Sequence, residues 1–277
     1  MNGVYKMKSL EELETLLKVK CNFDERIITG IWTTDCLYNP PMNGRIFKYK
    51  YIIVQTASGQ GCAYCTNQSY NPDYLESLIG QDCLYAKITD TAIKVACLDA
   101  LASRVTYGLN FKVLELNGNS CCKLHARTDL ILEEAFNLFG DLHSKKVINI
   151  GVVGDIIKGF LNVGCDVIGS DYDSAIVGKK LFNEAIVFNG NRTLELLKEV
   201  DLAVVTGMTI TTHTIDAIID KCKEYNVKLI VYAETGANMG QYYVNRGVNT
   251  YLGEMYPFYI FNGISTIVVT KSEGSNV

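Results

Sequence analysis

The chain has 277 residues, a formal net charge of −4 and 48% hydrophobic residues. That is enough for one large or two ordinary domains with a real core, and it excludes general disorder. The basic residues are scattered rather than gathered on one face, which argues against nucleic acid as the main partner, and no apolar run reaches the roughly 18 residues of a membrane span.

The first residues, MNGVYKMKSLEELETLL, contain no signal-type apolar region. They open an amphipathic helix with Leu10, Leu13, Leu16 and Leu17 on one face. A cytoplasmic chain is expected, in which the ten cysteines stay mostly reduced. Arg26 to Thr34, Phe47 to Gln55 and Cys62 to Thr66 are strand-like. The turns between them are too short for a crossover helix, so an antiparallel meander is predicted. Pro72 to Ile79 and Thr91 to Val105 are helical, the second apolar nearly all round and therefore buried. Residues 1–108 thus form a smaller α+β domain. Residues 109–143 form a connecting segment, irregular as far as 127 and helical from Leu130 to Phe139.

From Lys146 the pattern becomes strict alternation. Val147–Val153, Asp166–Gly169, Ala185–Phe188, Leu202–Val205, Lys228–Ala233 and Thr266–Val269 have the character of strands. Ile156–Leu161, Ala175–Leu181, Thr193–Leu197 and the run from about Thr212 to Cys222 have that of helices. Residues 144–277 are therefore a Rossmann-like domain with a mostly parallel sheet, and the chain as a whole is α/β.

Ligands of such sheets bind beyond the carboxyl ends of the strands. Gly207, Thr209, Thr211, Thr212 and His213 follow one strand end, and Glu234, Thr235 and Gly236 follow the next. A helix start among those threonines suits an anionic guest. The competing reading is that the hydroxyls cap and close turns. Gly151 and Gly154 stand where a dinucleotide fold has its phosphate loop, with Asp171 about 20 residues on where such folds hold a ribose. The cradle is shorter than G-x-G-x-x-G, which fits S-adenosylmethionine better than NAD. Cys62 and Cys65 form a C-x-x-C, and Glu254 ends a strand near Glu234. These three are the candidate metal ligands, although positions i and i+3 of a strand face opposite ways. His213 and Glu234 are the candidate acid–base pair. The helix start is expected to keep His213 neutral near pH 7, with Glu234 or Glu254 as its charged partner.

The run AIVFNGNRTLELLKEVDLAVVTGMTITTHTIDAII resembles the hallmark segment of the putative heavy-metal chelation domain family. Thr206 to Thr214 is similar to its T-G-(S/T)-x-(L/I)-x-N-x-T turn, with His213 departing from the usual residue. Glu234 to Met239 is similar to its G-P-S-A-P-like loop without the prolines, and Arg246 to Gly253 matches its G-V-x-x-(L/I)-x-G run. Asp90 to Leu101 resembles the buried helix of the family's companion domain, with Asp99 in place of Asn. The resemblance implies an enolase N-terminal-like domain ahead of a Rossmann-like one, with a site between them. The expected function is the binding, with or without chemistry, of a metal ion, a metal complex or a small anionic metabolite in that crevice. The alternative is a transferase using a nucleoside cofactor such as S-adenosylmethionine. A homo-oligomer is compatible with either.

Overall fold

A computed structural model describes residues 8–38, 47–65, 69–106 and 111–272. The turn expected after Tyr38 and the strand residue Thr66 lie outside them. Helices α1 (Lys8–Lys20) and α2 (Phe23–Arg26) lead into β1 (Ile28–Tyr38), β2 (Phe47–Thr56) and β3 (Gln60–Tyr64). The three strands pair in sequence as the expected antiparallel meander. Helices α3 (Pro72–Leu78) and α4 (Thr91–Thr106) follow. Helix α4 is buried on most sides because it packs against the meander on one side and the second unit on the other.

The connecting segment departs from its irregular reading. Phe111–Leu116 is a strand, β4, and α5 spans Ser120–Phe139. The side chain of Asn119 accepts the Cys122 N–H, and this cap starts the helix ten residues earlier than its apolar periodicity suggests. The order then runs β5 (Lys146–Ile150), α6 (Gly154–Asn162), β6 (Asp166–Asp171), β7 (Lys180–Leu181), β8 (Ala185–Asn189), α7 (Thr193–Leu196) and β9 (Leu202–Thr206). After these come α8 (Met208–Thr211), α9 (Ile215–Tyr225), β10 (Lys228–Ala233), α10 (Gly240–Asn245), β11 (Thr250–Glu254) and β12 (Ser265–Lys271). The helix expected over Ala175–Leu181 does not form. Gly178 takes a left-handed φ of 82°, which breaks the helical turn, and Lys180–Leu181 pairs with β8 instead.

Strand order in the large sheet is β4-β12-β11-β10-β9-β5-β6-β8-β7. From β11 to β8 every neighbouring pair is parallel. Numbered from β5 onward, those six strands stand in the order 6-5-4-1-2-3, the doubly wound dinucleotide-fold arrangement. The antiparallel β12 and β4 extend it on one side. The chain is therefore mixed α/β, with a large mostly parallel sheet and a smaller antiparallel one. A single apolar core joins the two, running from Leu13 on α1 through Ile93 and Leu101 on α4 to Val205, Val231 and Tyr251. Among the described residues no helix is long and apolar enough to cross a membrane.

Candidate functional site

Strand β3 is laid across the loop after β10. The Tyr64 N–H donates to Thr235 Oγ1 at 2.9 Å, and the Gly236 N–H donates to the Cys62 carbonyl at 3.1 Å. Asn238 donates from Nδ2 to the Gln60 carbonyl at 2.9 Å. Asp99, on α4, is 1% exposed and takes the Cys62 N–H at 2.9 Å and the Asn238 N–H at 2.8 Å. Burial pushes its carboxyl up to about 7, against the opposing pull of those N–H bonds. One acid thus ties the meander, α4 and the β10 loop together. An amide cannot accept on both sides, so Asp99→Asn should lower stability by about 1–3 kcal/mol at pH 8, as read by urea unfolding.

Beyond this seam the face of the meander covers the ends of β10 and β11. Tyr51 Oη donates to Glu234 Oε2 at 2.6 Å. Tyr232 Oη lies 3.0 Å from Glu234 Oε1 and is also hydrogen-bonded to Glu254 Oε2. The Tyr259 N–H donates to Glu254 Oε1 at 2.6 Å, and Arg127 Nη1 donates to Tyr232 Oη at 3.3 Å. Glu254 is fully buried, Tyr232 and Arg127 nearly so, and Glu234 alone keeps partial exposure.

A phenol has one hydrogen, yet two carboxyl groups meet on Tyr232. One assignment gives the phenol and both carboxyl groups consistent partners. Tyr232 donates to Glu254, and Glu234 carries a proton and donates it to Tyr232, whose other lone pair takes Arg127. Burial and the neighbouring Glu254 charge both push Glu234 up, to about 7, so it holds that proton near neutrality. The two glutamates that end neighbouring strands meet through a tyrosine that sequence reasoning passed over. Tyr232 precedes Glu234 by two residues, strand spacing for one face, and that spacing was the available signal. Arg127 had one too, being a charge on the apolar face of α5 between Leu124 and Ile131.

The other expected site residues are distributed differently. Thr211 and Thr212 do face Tyr64 and Cys65 across a cleft of about 640 Å³ between the two units, with Tyr70 and Asp90 also in its wall. Their hydroxyls, however, donate to the Met208 carbonyl at 3.0 and 3.1 Å, and Thr209 donates to the Thr206 carbonyl at 2.8 Å. They close the α8 turn, which is the competing reading of the threonine cluster. Gly207 is required there for a different reason: a Cβ would lie 2.3 Å from the Thr235 carbonyl oxygen.

The loop after β5 is also filled by the protein itself. The Val152 N–H donates to Asp171 at 2.8 Å and the Val153 N–H to Asn149 Oδ1 at 2.7 Å. Asp171 is thereby a cap for the Gly151–Gly154 turn, and two N–H groups that a phosphate would want are taken. Gly151, at φ 72°, would place a Cβ 2.1 Å from Thr206 Oγ1.

His213 is not beside Glu234 or Glu254. It adopts a left-handed φ of 59°, and the carboxylate that acts on it is that of Asp216. Burial lowers its pKa and Asp216 opposes this, so desolvation rather than the helix end favours the neutral ring. Cys62 packs with Tyr51, Phe258 and Tyr259, whereas Cys65 packs in the core on the other side of the meander. Burial raises both thiols. Both carboxyl oxygens of Glu254 are engaged. The three expected metal ligands therefore do not converge, and among the described residues no group of three His, Cys, Asp or Glu is placed to hold an ion.

Residues 134–232 match the DUF364 family, described as "Putative heavy-metal chelation". A crystal structure of a DUF364 protein of unknown function from Desulfitobacterium hafniense DCB-2 is similar over 97% of this chain and 100% of that one. Its TM-score is 0.60 at 11% identity, a likeness of fold across both sheets. A second DUF364 protein of unknown function, from Pyrococcus horikoshii, covers 89% of this chain and 87% of its own, with a TM-score of 0.46 at 13% identity. No curated protein matches.

Proposed function

We propose that the chain binds a small anionic metabolite, free or as its metal complex, in the crevice between the meander and the ends of β10 and β11, and that Glu234 exchanges a proton with it. The observation that carries this reading is the meeting of Glu234 and Glu254 on one phenol, with Glu234 the one of the two that keeps partial exposure. Such an arrangement stores one proton near pH 7 where a ligand can take or supply it. The metal half of the reading is supported by the family description attached to residues 134–232. Metal ions take four to eight ligands, and the donors come here mainly from the metabolite. The N-terminal unit serves as the wall, the role an enolase N-terminal-like domain has in the resemblance.

Calorimetry with citrate and with zinc citrate, on wild type and Glu234→Gln, tests the proposal. Wild type should bind at least one of them, and the substitution should weaken binding about 10-fold, about 1.4 kcal/mol. Absence of binding to either would overturn it. A dissociation constant for S-adenosylmethionine in their place would move the reading to the nucleoside-cofactor transferase, against which the occupied Val152 and Val153 N–H groups stand.

A further inference from the structure

Helix α5 buries two cations one turn apart, and the fold treats them differently. Lys123 is fully buried, and its Nζ donates to the carbonyls of Phe261 at 2.6 Å and Gly263 at 2.9 Å. Lys271, also buried, pairs with Glu134 at 3.1 Å. Each of these has oxygen partners supplied by the chain. Arg127 is 1% exposed, and among the described residues its one hydrogen bond is the 3.3 Å contact from Nη1 to a phenol. Among the same residues its Nε and Nη2 are buried with no partner.

Unpaired donors on a buried charge are costly. The two orphans are neighbours on one edge of the guanidinium. Their N–H bonds run nearly parallel and match the two oxygens of a planar oxyanion. The rings of Tyr232 and Tyr259 lie against the group, with Cζ 4.8 and 4.5 Å from their centroids. With two rings packed on the group, the Nε/Nη2 edge is the part it has left to offer, and a planar carboxylate is the bidentate match for that edge.

We infer that the Nε/Nη2 edge of Arg127 is the anchor for a carboxylate of the ligand, so that the crevice's guest is a carboxylic acid metabolite rather than a phosphorylated one. This rests on the reading that the crevice binds a ligand, and it adds the guest's class. Arg127 and the Glu234–Glu254 pair with its one proton sum to zero, so the guest carboxylate adds one negative charge beside Glu234. A metal ion carried by the guest offsets that charge.

The test follows the Arg127 Nε–H resonance by 15N NMR at pH 7, assigned from an Arg127→Lys sample. The probes are oxalate, inorganic phosphate and neutral acetamide. Oxalate should shift the resonance saturably, phosphate at least 10-fold more weakly and acetamide not at all. By calorimetry Arg127→Lys should lose at least 10-fold in oxalate affinity. If that variant does not fold, Nε–H is assigned by selective arginine labelling, and the wild-type titration decides. A resonance unmoved by oxalate, or phosphate binding more tightly than oxalate, overturns the inference. Citrate binding to wild type with Arg127 unmoved would leave the proposed function standing and remove only its carboxylate anchor. Oxalate binding retained in Glu234→Gln but lost in Arg127→Lys would support the anchor even if the proton-exchange role fails.

Discussion

Replacing Gly61 by alanine is expected to destabilise the protein by about 3–5 kcal/mol, a large part of the roughly 5–15 kcal/mol that holds a typical domain together. Gly61 is the second residue of β3, where the strand crosses α4. A Cβ there would lie 2.1 Å from the Ala96 carbonyl oxygen and 2.2 Å from the Ala100 nitrogen. Overpacking against a movable side chain costs about 1–3 kcal/mol. Here the obstacle is the backbone of a buried helix, so β3 and α4 must separate. Asp99 lies on the same face of α4 and takes the N–H groups of Cys62 and Asn238. The separation would pull on those bonds and on the Tyr64–Thr235 bond that sets the crevice wall. Urea unfolding would register a lowered midpoint, and ligand affinity in the crevice should fall with it. A midpoint within about 0.5 kcal/mol of wild type would mean that the strand and helix are not in register as described.

The elements legible in the sequence were those governed by local rules. Lys228–Ala233 is apolar and continuous, as a parallel strand covered on both faces must be, and it is β10 to the residue. The alternation after Lys146 reports the doubly wound sheet for the same reason. What escaped was set at a distance. Strand β4, FKVLEL, takes its place beside β12, about 150 residues later in the chain, and only that pairing makes it a strand. The threonines after β9 suggested a ligand because Thr209, Thr211 and Thr212 stood together, but short helical turns satisfy such hydroxyls on their own carbonyls. His213 looked poised for chemistry beside Glu234. Its left-handed backbone instead turns it toward Asp216, whose Oδ2 receives the Ser9 N–H of α1. Glu234 and Glu254 were found because both end strands of one sheet. Their shared partner, Tyr232, stands two residues before Glu234 on the same strand, whereas Arg127 behind it comes from α5, which only the folded chain brings in.

Between pH 5 and pH 8 the wild-type protein is expected to lose stability as pH rises, and Glu234→Gln should lose less. The folded state holds a proton on Glu234 up to about 7, whereas the unfolded chain releases it near the ordinary carboxylate value of 4.5. Between those two values the folded state binds more protons than the unfolded, so stability falls with rising pH. The slope approaches about 1.4 kcal/mol per pH unit for one such group, giving up to about 3 kcal/mol in total, complete above the folded value. Asp99 adds a slope of the same sign, since burial raises it to about 7 from 3.8. Glutamine at position 234 reproduces the protonated acid: its amide N–H₂ can donate to Tyr232 and its carbonyl can accept from Tyr51. The variant should therefore match wild type at pH 5, exceed it by roughly 2–3 kcal/mol at pH 8, and keep only the Asp99 part of the slope. Unfolding by urea at half-unit pH intervals measures both curves. Parallel curves for the two proteins would mean that Glu234 carries no proton in the folded state. The second hydrogen bond on Tyr232 would then need a different donor, and the proton-exchange role proposed for the crevice would fall with it.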